Sequence, residues 1–510
     1  MLDGSGSGKS SSYSIPNAYQ CLGSYIFTDP KGELYDTTAG YLKSKGYDIK
    51  VLNLVHPQYS DGYNPLMHIS SELDVDVIAN TVVKGQKIEG SSSDPYWDDM
   101  AEMLLKSLIY YLIATRPEEE QNLASCAELV RAANSNGGSN LLTELINQLP
   151  YDHPARMYYK SIEIAPEKTY GSILSSLQSK LGKFDSKEIA ELTSTDTINF
   201  EEIGQKKTAV YVISSDTHTA YDFLLTIFFS QMIQQLYDFA DRNGGKLPMP
   251  TFFILDEFAN IGRIPDFDKK ISTSRSRKIS FSVILQNLDQ LEAVYEKSYE
   301  TIIGNCDTHV FLGSNSQKTV EYFSKALGEK TISRDNISIN RDKQNAKQGK
   351  SVSDQIMARA LLTPDELRRF DNDMCIIFVK GIKPIKANKF YYFKKPMIKQ
   401  LNALAINHND IGDIDRGPWR KYNPYNPYVE ENKDKPVQDL KIDSLDDLFE
   451  EDKTEKINKK AETTNQINKT KKQDAPILPQ DDVEEDFTED IQKELEAKFD
   501  ELFGPIEDTE

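Results

Sequence analysis

The stretch TFFILDE, residues 251–257, closes a β-branched and aromatic run with two adjacent carboxylates, Asp256 and Glu257. A buried strand that delivers acids at its C-terminal end is how an α/β sheet presents chemistry at its rim. Outward from it, short apolar β-rich runs recur at residues 24–28, 48–53, 208–214, 281–285, 309–312 and 374–379, with helical patterns between them. That alternation predicts an α/β fold, a parallel sheet covered by helices, within the first 395 residues. Between about residues 94 and 197 the strand signal disappears. There DPYWDDMAEMLLKSLIYYLIA offers Asp94 as an N-cap, followed by apolar Met100, Met103, Leu104, Ile109 and Leu112. Caps and spacing of this kind predict an all-helical insert within the α/β domain.

The second informative stretch is GSGSGKS, residues 4–10. Glycines at Gly4, Gly6 and Gly8, with Ser5 and Ser7 between them, let consecutive N–H groups turn toward phosphate oxygens; Lys9 reaches the β- and γ-phosphates, and the Ser10 hydroxyl is placed to ligate Mg²⁺. From Ser11 onward a helix is expected, its N-terminus adding to phosphate binding. Two features depart from the pattern: Asp3 stands where glycine is wanted, and only Met1 and Leu2 precede the loop, so its usual leading strand is expected to be lost or the start to be late. Paired with this loop, Asp256 is expected to hold the Mg²⁺ shell and Glu257 to polarise water. Gln286, at the end of the run SFSVILQN, is a candidate γ-phosphate sensor, and Arg275, Arg277 and Lys278 precede that run. An arginine so placed in a ring can reach a neighbour's nucleotide, and Arg275 is the candidate.

The whole chain, 510 residues with 38% apolar, predicts two to four domains. Its formal charge of −20 excludes a surface that is basic throughout, so any contact with nucleic acid must be local. The acidity is uneven. Residues 431–510 hold 26 acids and 12 bases, a net of −14, leaving −6 to the first 430. That tail lacks the apolar content to fold alone and reads as disordered. The Pro-punctuated GPWRKYNPYNPYVEE reads as part of a linker. The expected organisation is thus a discontinuous nucleotide-binding domain at 1–90 and 205–395, an all-α insert at 91–204, a linker at 396–430 and an acidic tail at 431–510. Cys21, Cys126, Cys306 and Cys375 form no CxxC pair and the histidines lack ligand spacing, so neither a zinc site nor a disulfide framework is expected. The longest apolar stretches, about eleven residues, fall short of the ~20 that span a bilayer.

Four further motifs occur together: TDPKGELY (28–35), DGYNPL (61–66), LDEFANIGRIPDF (255–267) and LLTPDELRRF (361–370). With them the chain resembles the coupling-protein ATPases of conjugative type IV secretion systems, the TraG/TraD-like class, over roughly residues 3–395. The resemblance implies a RecA-like motor core carrying an all-α domain, assembled as a homo-hexamer at the inner face of the cell membrane. It implies ATP with Mg²⁺, and as partners relaxase-bound single-stranded DNA, relaxosome accessory proteins and the secretion channel. It carries Lys9 and Ser10 over as nucleotide contacts, Asp256 and Glu257 as the Mg²⁺ and water residues, and Gln286 as the sensor. The resemblance also implies N-terminal membrane helices, so attachment to the membrane is expected to come from partners, or the sequence to be a fragment of a longer protein. The alternative expectations are a truncated receptor that binds substrates without hydrolysing nucleotide, and another DNA-translocating or secretion ATPase.

Residues 330–350 hold six bases, Lys330, Arg334, Arg341, Lys343, Lys347 and Lys350, against two acids. A polar basic loop of this kind can track phosphates without reading sequence. In the tail, LDDLFEE (445–451) and FDELFGP (499–505) share a pattern suited to docking a basic partner. Tyr422, Tyr425 and Tyr428 are a candidate stacking platform, with packing along a domain edge as the competing role.

Overall fold

The computed structural model describes residues 1–3, 8–85, 95–133, 140–214, 221–340, 349–412 and 414–425. The expected cap Asp94, the loop residues Gly4, Ser5, Gly6 and Ser7, and the acidic tail lie outside the described residues. The described strands are β1 (Leu2–Asp3), β2 (Ser24–Thr28), β3 (Asp48–Asn53), β4 (Thr208–Ile213), β5 (Thr251–Leu255), β6 (Ile279–Val283), β7 (Thr308–Gly313), β8 (Glu329–Asn340), β9 (Gly349–Ala360), β10 (Met374–Val379) and β11 (Ile385–Asn388). Five of them, in the order β3-β4-β2-β5-β6, form a sheet that is parallel throughout.

Along these strands the side chains alternate between two cores, as a period of two requires. Ile26, Val210, Val212, Phe253 and Leu255 enter one; Tyr25, Phe27, Ala209, Tyr211 and Ile254 enter the other. Burial on both faces explains the near-continuous apolar runs. The helices Ile15–Tyr19 and Glu33–Ser44 cover the second face. The first face meets Asp222–Arg242, a helix buried around most of its circumference because the helical layer lies beyond it. Between β3 and β4 every described element is a helix, and Leu104, Leu108 and Leu112 of Pro95–Thr115 are fully buried at helical spacing.

A second sheet runs β1-β7-β10-β11, with β1 parallel to β7 and the remaining pairs antiparallel. An isolated parallel bridge between Leu2 and Leu285 joins it to the end of β6. The Leu285 N–H donates to the Met1 carbonyl at 3.0 Å, and Leu2 is 6% exposed. The expectation that the strand ahead of the phosphate loop is lost is therefore revised: Leu2–Asp3 is a strand, with β7 on one side and the end of β6 on the other.

Two other expectations shift. The ladder of β5 with β6 runs from Thr251–Ile279 to Leu255–Val283, so β6 begins two residues before its apolar run. Of residues 396–430, read as a linker, 396–412 and 414–425 are described and are held to the body. Helix Met397–Ala403 packs on Glu33–Ser44, where the Leu404 carbonyl approaches so closely that a Cβ at Gly40 would stand 1.9 Å from it. Further on, Arg420 Nε donates to Glu120 Oε1 at 2.8 Å and the Arg116 guanidinium sits 4.3 Å from the Tyr422 ring centre.

Candidate nucleotide site

At the rim of the parallel sheet, β5 ends in the two carboxylates. Asp256 is 5% exposed, and its carbonyl accepts from Thr28 Oγ1 of neighbouring β2 at 2.6 Å. Glu257 turns the chain with φ 51° and ψ 48°, a left-handed conformation that costs a non-glycine residue roughly 1–2 kcal/mol. Such strain concentrates at functional positions.

Opposite, the chain leaves β1, passes the loop and winds into a continuous helical run. Gly8 has φ +86°, and its carbonyl accepts from the Ser12 N–H at 2.8 Å and from Ser12 Oγ at 2.7 Å. A Cβ at Gly8 would meet the Tyr391 ring at 2.9 Å, so glycine is required there on two counts. Ser10 opens the first wide turn, Ser10–Ser14, which continues into Ile15–Tyr19. Lys9, Ser10 and Ser11 all line the cavity beyond.

The two halves meet through Lys9. Its Nζ lies 2.9 Å from Asp256 Oδ1 and 2.5 Å from Glu257 Oε1. Gln286, just past β6, donates from Nε2 to the same Glu257 Oε1 at 2.8 Å. Burial works against the Lys9 ammonium, yet the paired carboxylates outweigh it and raise its pKa above the ordinary lysine value. At the more deeply buried Asp256 the balance reverses: burial lifts the carboxyl above its usual range and Lys9 offsets only part of that rise. Both effects follow from placing three charges where water is scarce.

Around them is a cavity of about 520 Å³, whose lining also includes Asp29, Lys31, Glu33, Asn260 and Gln290. Its volume is in the range of small-molecule sites. These five were not singled out from sequence. Asp29, Lys31 and Glu33 belong to TDPKGELY, directly after a strand-like run, and Asn260 belongs to LDEFANIG, so the motifs already marked them. Asp29 is 3% exposed and accepts from the Tyr35 N–H at 2.8 Å; burial pushes its carboxyl up to about 7.

Lys9, Ser10, Ser11, Gly8, Asp256, Glu257 and Gln286 are thus brought together. Arg275 is not at this cavity. It is 92% exposed, 3.7 Å from Asp307, in a groove between β6 and β7. Arg277 pairs with Asp241 at 2.9 Å instead. Lys330 is exposed at the start of β8; Arg334 and Lys350 are strand positions, so this stretch is a β-ribbon where a loop was expected. Arg341, Lys343 and Lys347 lie outside the described residues, as do Tyr428 and both tail motifs. Tyr422 is 3% exposed and so is packing, not a stacking platform. Among the described residues no group of three or more His, Cys, Asp or Glu converges as a metal cage, and no helix is long and apolar enough to cross a membrane.

A parallel sheet that brings a glycine-loop lysine and a strand-end pair of carboxylates to one rim defines a phosphate-loop α/β protein. The chain belongs to the family described as type IV secretory system conjugative DNA transfer, whose model matches residues 1–411. It is 25% identical to conjugal transfer protein TraG of Escherichia coli over 436 residues, covering 78% of this chain and 67% of that protein. It is 23% identical to protein VirD4 of Rhizobium rhizogenes over 418 residues, covering 78% and 59%. The chain thus spans between about three fifths and two thirds of the length of these two relatives. Its fold is similar to that of the bacterial conjugative coupling protein TrwBdeltaN70 in its unbound monoclinic form, with a TM-score of 0.55 at 16% identity, covering 76% of this chain and 83% of that one. A TrwB structure described as a complex with ADP and Mg²⁺ gives a TM-score of 0.54 at the same identity, covering 76% and 84%. The RecA-like core expected from the motifs is the fold found.

Proposed function

We propose that this chain is the motor of a conjugative coupling protein: it binds and hydrolyses ATP and uses the energy to pass relaxase-bound single-stranded DNA, or a protein substrate, to a type IV secretion channel. The observation that carries the reading is Lys9 Nζ lying between Asp256 and Glu257, with Gln286 on Glu257, at the mouth of one cavity. A lysine held by two acids is already placed to exchange them for phosphate oxygens. When it does so, Glu257 loses its cation and keeps its hydrogen bond from Gln286 Nε2, which leaves Oε2 available to take a proton from an attacking water. Arrival of phosphate and activation of the base are then one event.

Hard oxygen donors suit Mg²⁺, and in this reading the Ser10 hydroxyl and the Asp256 carboxylate hold the ion that offsets charge on the phosphates. Gly4, Ser5, Gly6, Ser7, Gly8 and Ser11 complete the cradle. Arg275, exposed and away from its own cavity, serves the site of the next copy in a homo-hexameric ring. We further propose the division into a nucleotide-binding domain (1–90 and 205–395), an all-α domain (91–204), a connecting segment (396–430) and an acidic tail (431–510). In this picture the ring works at the cytoplasmic face of the membrane with relaxosome accessory proteins.

ATP turnover with and without single-stranded DNA, beside a Lys9→Ala control, tests the reading. Turnover that exceeds the control and rises with DNA supports the motor. Turnover equal to the control would leave a receptor that binds substrate without hydrolysis.

A further inference from the structure

The cavity around Lys9 offers charge and hydrogen bonds but no wall for a flat apolar ring. Among the described residues its lining contains no aromatic side chain, and Pro30 is its one apolar member. Small-molecule sites ordinarily set a few polar groups among apolar and aromatic walls, so the remainder of a nucleotide has to find its wall outside this cavity. One lies directly beside it. The Tyr391 ring that a Cβ on Gly8 would meet at 2.9 Å belongs to the segment KFYYFKK, residues 389–395.

That segment is fixed where it reaches the loop. Lys389 is buried; its Nζ donates to the Leu312 carbonyl of β7 at 2.9 Å and its N–H to the Asp373 carbonyl at 2.8 Å. Tyr391 is buried too, with Oη donating to the Asn372 carbonyl at 3.2 Å. Phe393 stacks on Tyr391, the ring centres 5.1 Å apart and the planes 29° from parallel, and meets Tyr392 edge-on at 5.8 Å and 79°. Tyr392 in turn packs against the core on the second face of the parallel sheet. Despite these contacts Phe393 remains 47% exposed. An exposed phenylalanine on its own needs no explanation. One braced by two other rings, the first of them lying on the glycine loop, presents an open aromatic face whose position is already set. A ring held in advance loses little freedom when a ligand stacks on it.

We infer that Phe393, backed by Tyr391 and Tyr392, is the stacking platform for the base of the nucleotide whose phosphates the Lys9 loop takes. This rests on the reading of that loop as a nucleotide site, and neither on hydrolysis nor on DNA. Phe390 is as exposed, at 46%, but its ring is covered by Lys395 Nζ at 4.9 Å and it belongs to neither ring contact of Phe393, so it takes no part.

The test titrates the full chain by calorimetry with Mg-ATP and, separately, with Mg-tripolyphosphate, which has the phosphates without the nucleoside. Wild type is expected to bind ATP more tightly than tripolyphosphate. Losing one base–aromatic stack weakens binding by about 5–150-fold, so Phe393→Ser should raise the Kd for ATP by a factor in that range and leave tripolyphosphate unchanged. Phe393→Trp, which keeps a stacking face, should keep ATP affinity, and Phe390→Ser should alter neither ligand. Equal weakening of tripolyphosphate in Phe393→Ser would mean that the ring acts through the loop and overturns the inference. So does an unchanged Kd for ATP in that variant, the same loss in Phe390→Ser, or a wild type that binds the two ligands equally; each of these spares the phosphate site. A wild type that binds neither ligand overturns the nucleotide reading as well. Unchanged circular dichroism and Tm verify that each variant folds.

Discussion

Lys9 Nζ and Asp256 Oδ1, 247 residues apart in sequence, lie 2.9 Å apart across the end of the parallel sheet, with side chains 21% and 6% exposed. The pair joins the glycine loop to β5, so it has a structural role beyond any chemistry. Removing one partner of a buried ion pair leaves an uncompensated charge and costs about 3–5 kcal/mol. Lys9→Ala is therefore expected to destabilise the fold by about that amount at neutral pH, read by urea unfolding. Asp256→Asn in the same chain should restore part of the loss, because one of the two carboxylates that Lys9 faced is then neutral. A double variant as unstable as the two single losses combined would show that the residues act independently.

Glu257 accepts from both Lys9 and Gln286, so its two neighbours predict different defects. Glu257→Gln keeps shape and loses the base; kcat for ATP should fall by about 10²–10⁴ with little change in KM. Gln286→Ala leaves the base but frees it to reorient. It should lower kcat by a smaller factor while the KM for ATP stays near the wild-type value, a split that a purely structural defect would not give. Single-turnover kinetics separates these effects from product release.

Asp29 supplies a pH dependence of stability. Its carboxyl is raised by burial from the ordinary 3.8 to about 7 in the folded chain, while the unfolded chain keeps the ordinary value. A raised folded value means that the favourable contribution is fully present below about pH 4 and is lost as pH rises through about 7. The shift corresponds to about 4 kcal/mol as an upper bound. Asp29→Asn, whose amide oxygen can still accept the Tyr35 N–H, should flatten the stability profile between pH 4 and 7 and raise Tm at pH 8. An unchanged slope in urea titrations across that range would mean that Asp29 is charged in the folded state without cost.

What was legible in the sequence was what is local. β2, β4 and β5 declare themselves as apolar runs because both sheet faces are buried, and Asp256 with Glu257 ends such a run. β1 is too short to carry any pattern, and its place depends on Leu285 and Phe311, hundreds of residues away. Residues 330–350, which hold most of β8 and the start of β9, read as a polar loop because strand character there comes from pairing across the ribbon, which no single segment's propensity encodes. The cavity's acids and amides were partly hidden for a related reason. Asp29 lies in a quoted motif, but its burial depends on the helix Glu33–Ser44 folding back over it.

The segment after residue 412 is the clearest case of structure set by distant partners, and it yields the last prediction. Glu120 has a side chain only 1% exposed and is matched by two arginines, Arg116 Nε at 2.6 Å and Arg420 Nε at 2.8 Å. Arg420 also meets Glu119, and its own carbonyl accepts from Asn122 Nδ2 at 3.0 Å. Two residues on, the Tyr422 N–H donates to Ser125 Oγ at 2.8 Å, which fixes the ring against Arg116. Losing hydrogen bonds to a buried charge costs about 1.5–3 kcal/mol, so Arg420→Ala should destabilise the chain by that amount. Faster hydrogen exchange should appear in Leu123–Ala133 while the parallel sheet keeps its protection. Lys421→Ala is the control, since Lys421 reaches only Glu128, at 3.9 Å and with both side chains 30% exposed, a pair expected to contribute under about 1 kcal/mol. Equal effects from the two variants would mean that the segment is held by its backbone and by Tyr422 alone, without help from the charge on Glu120.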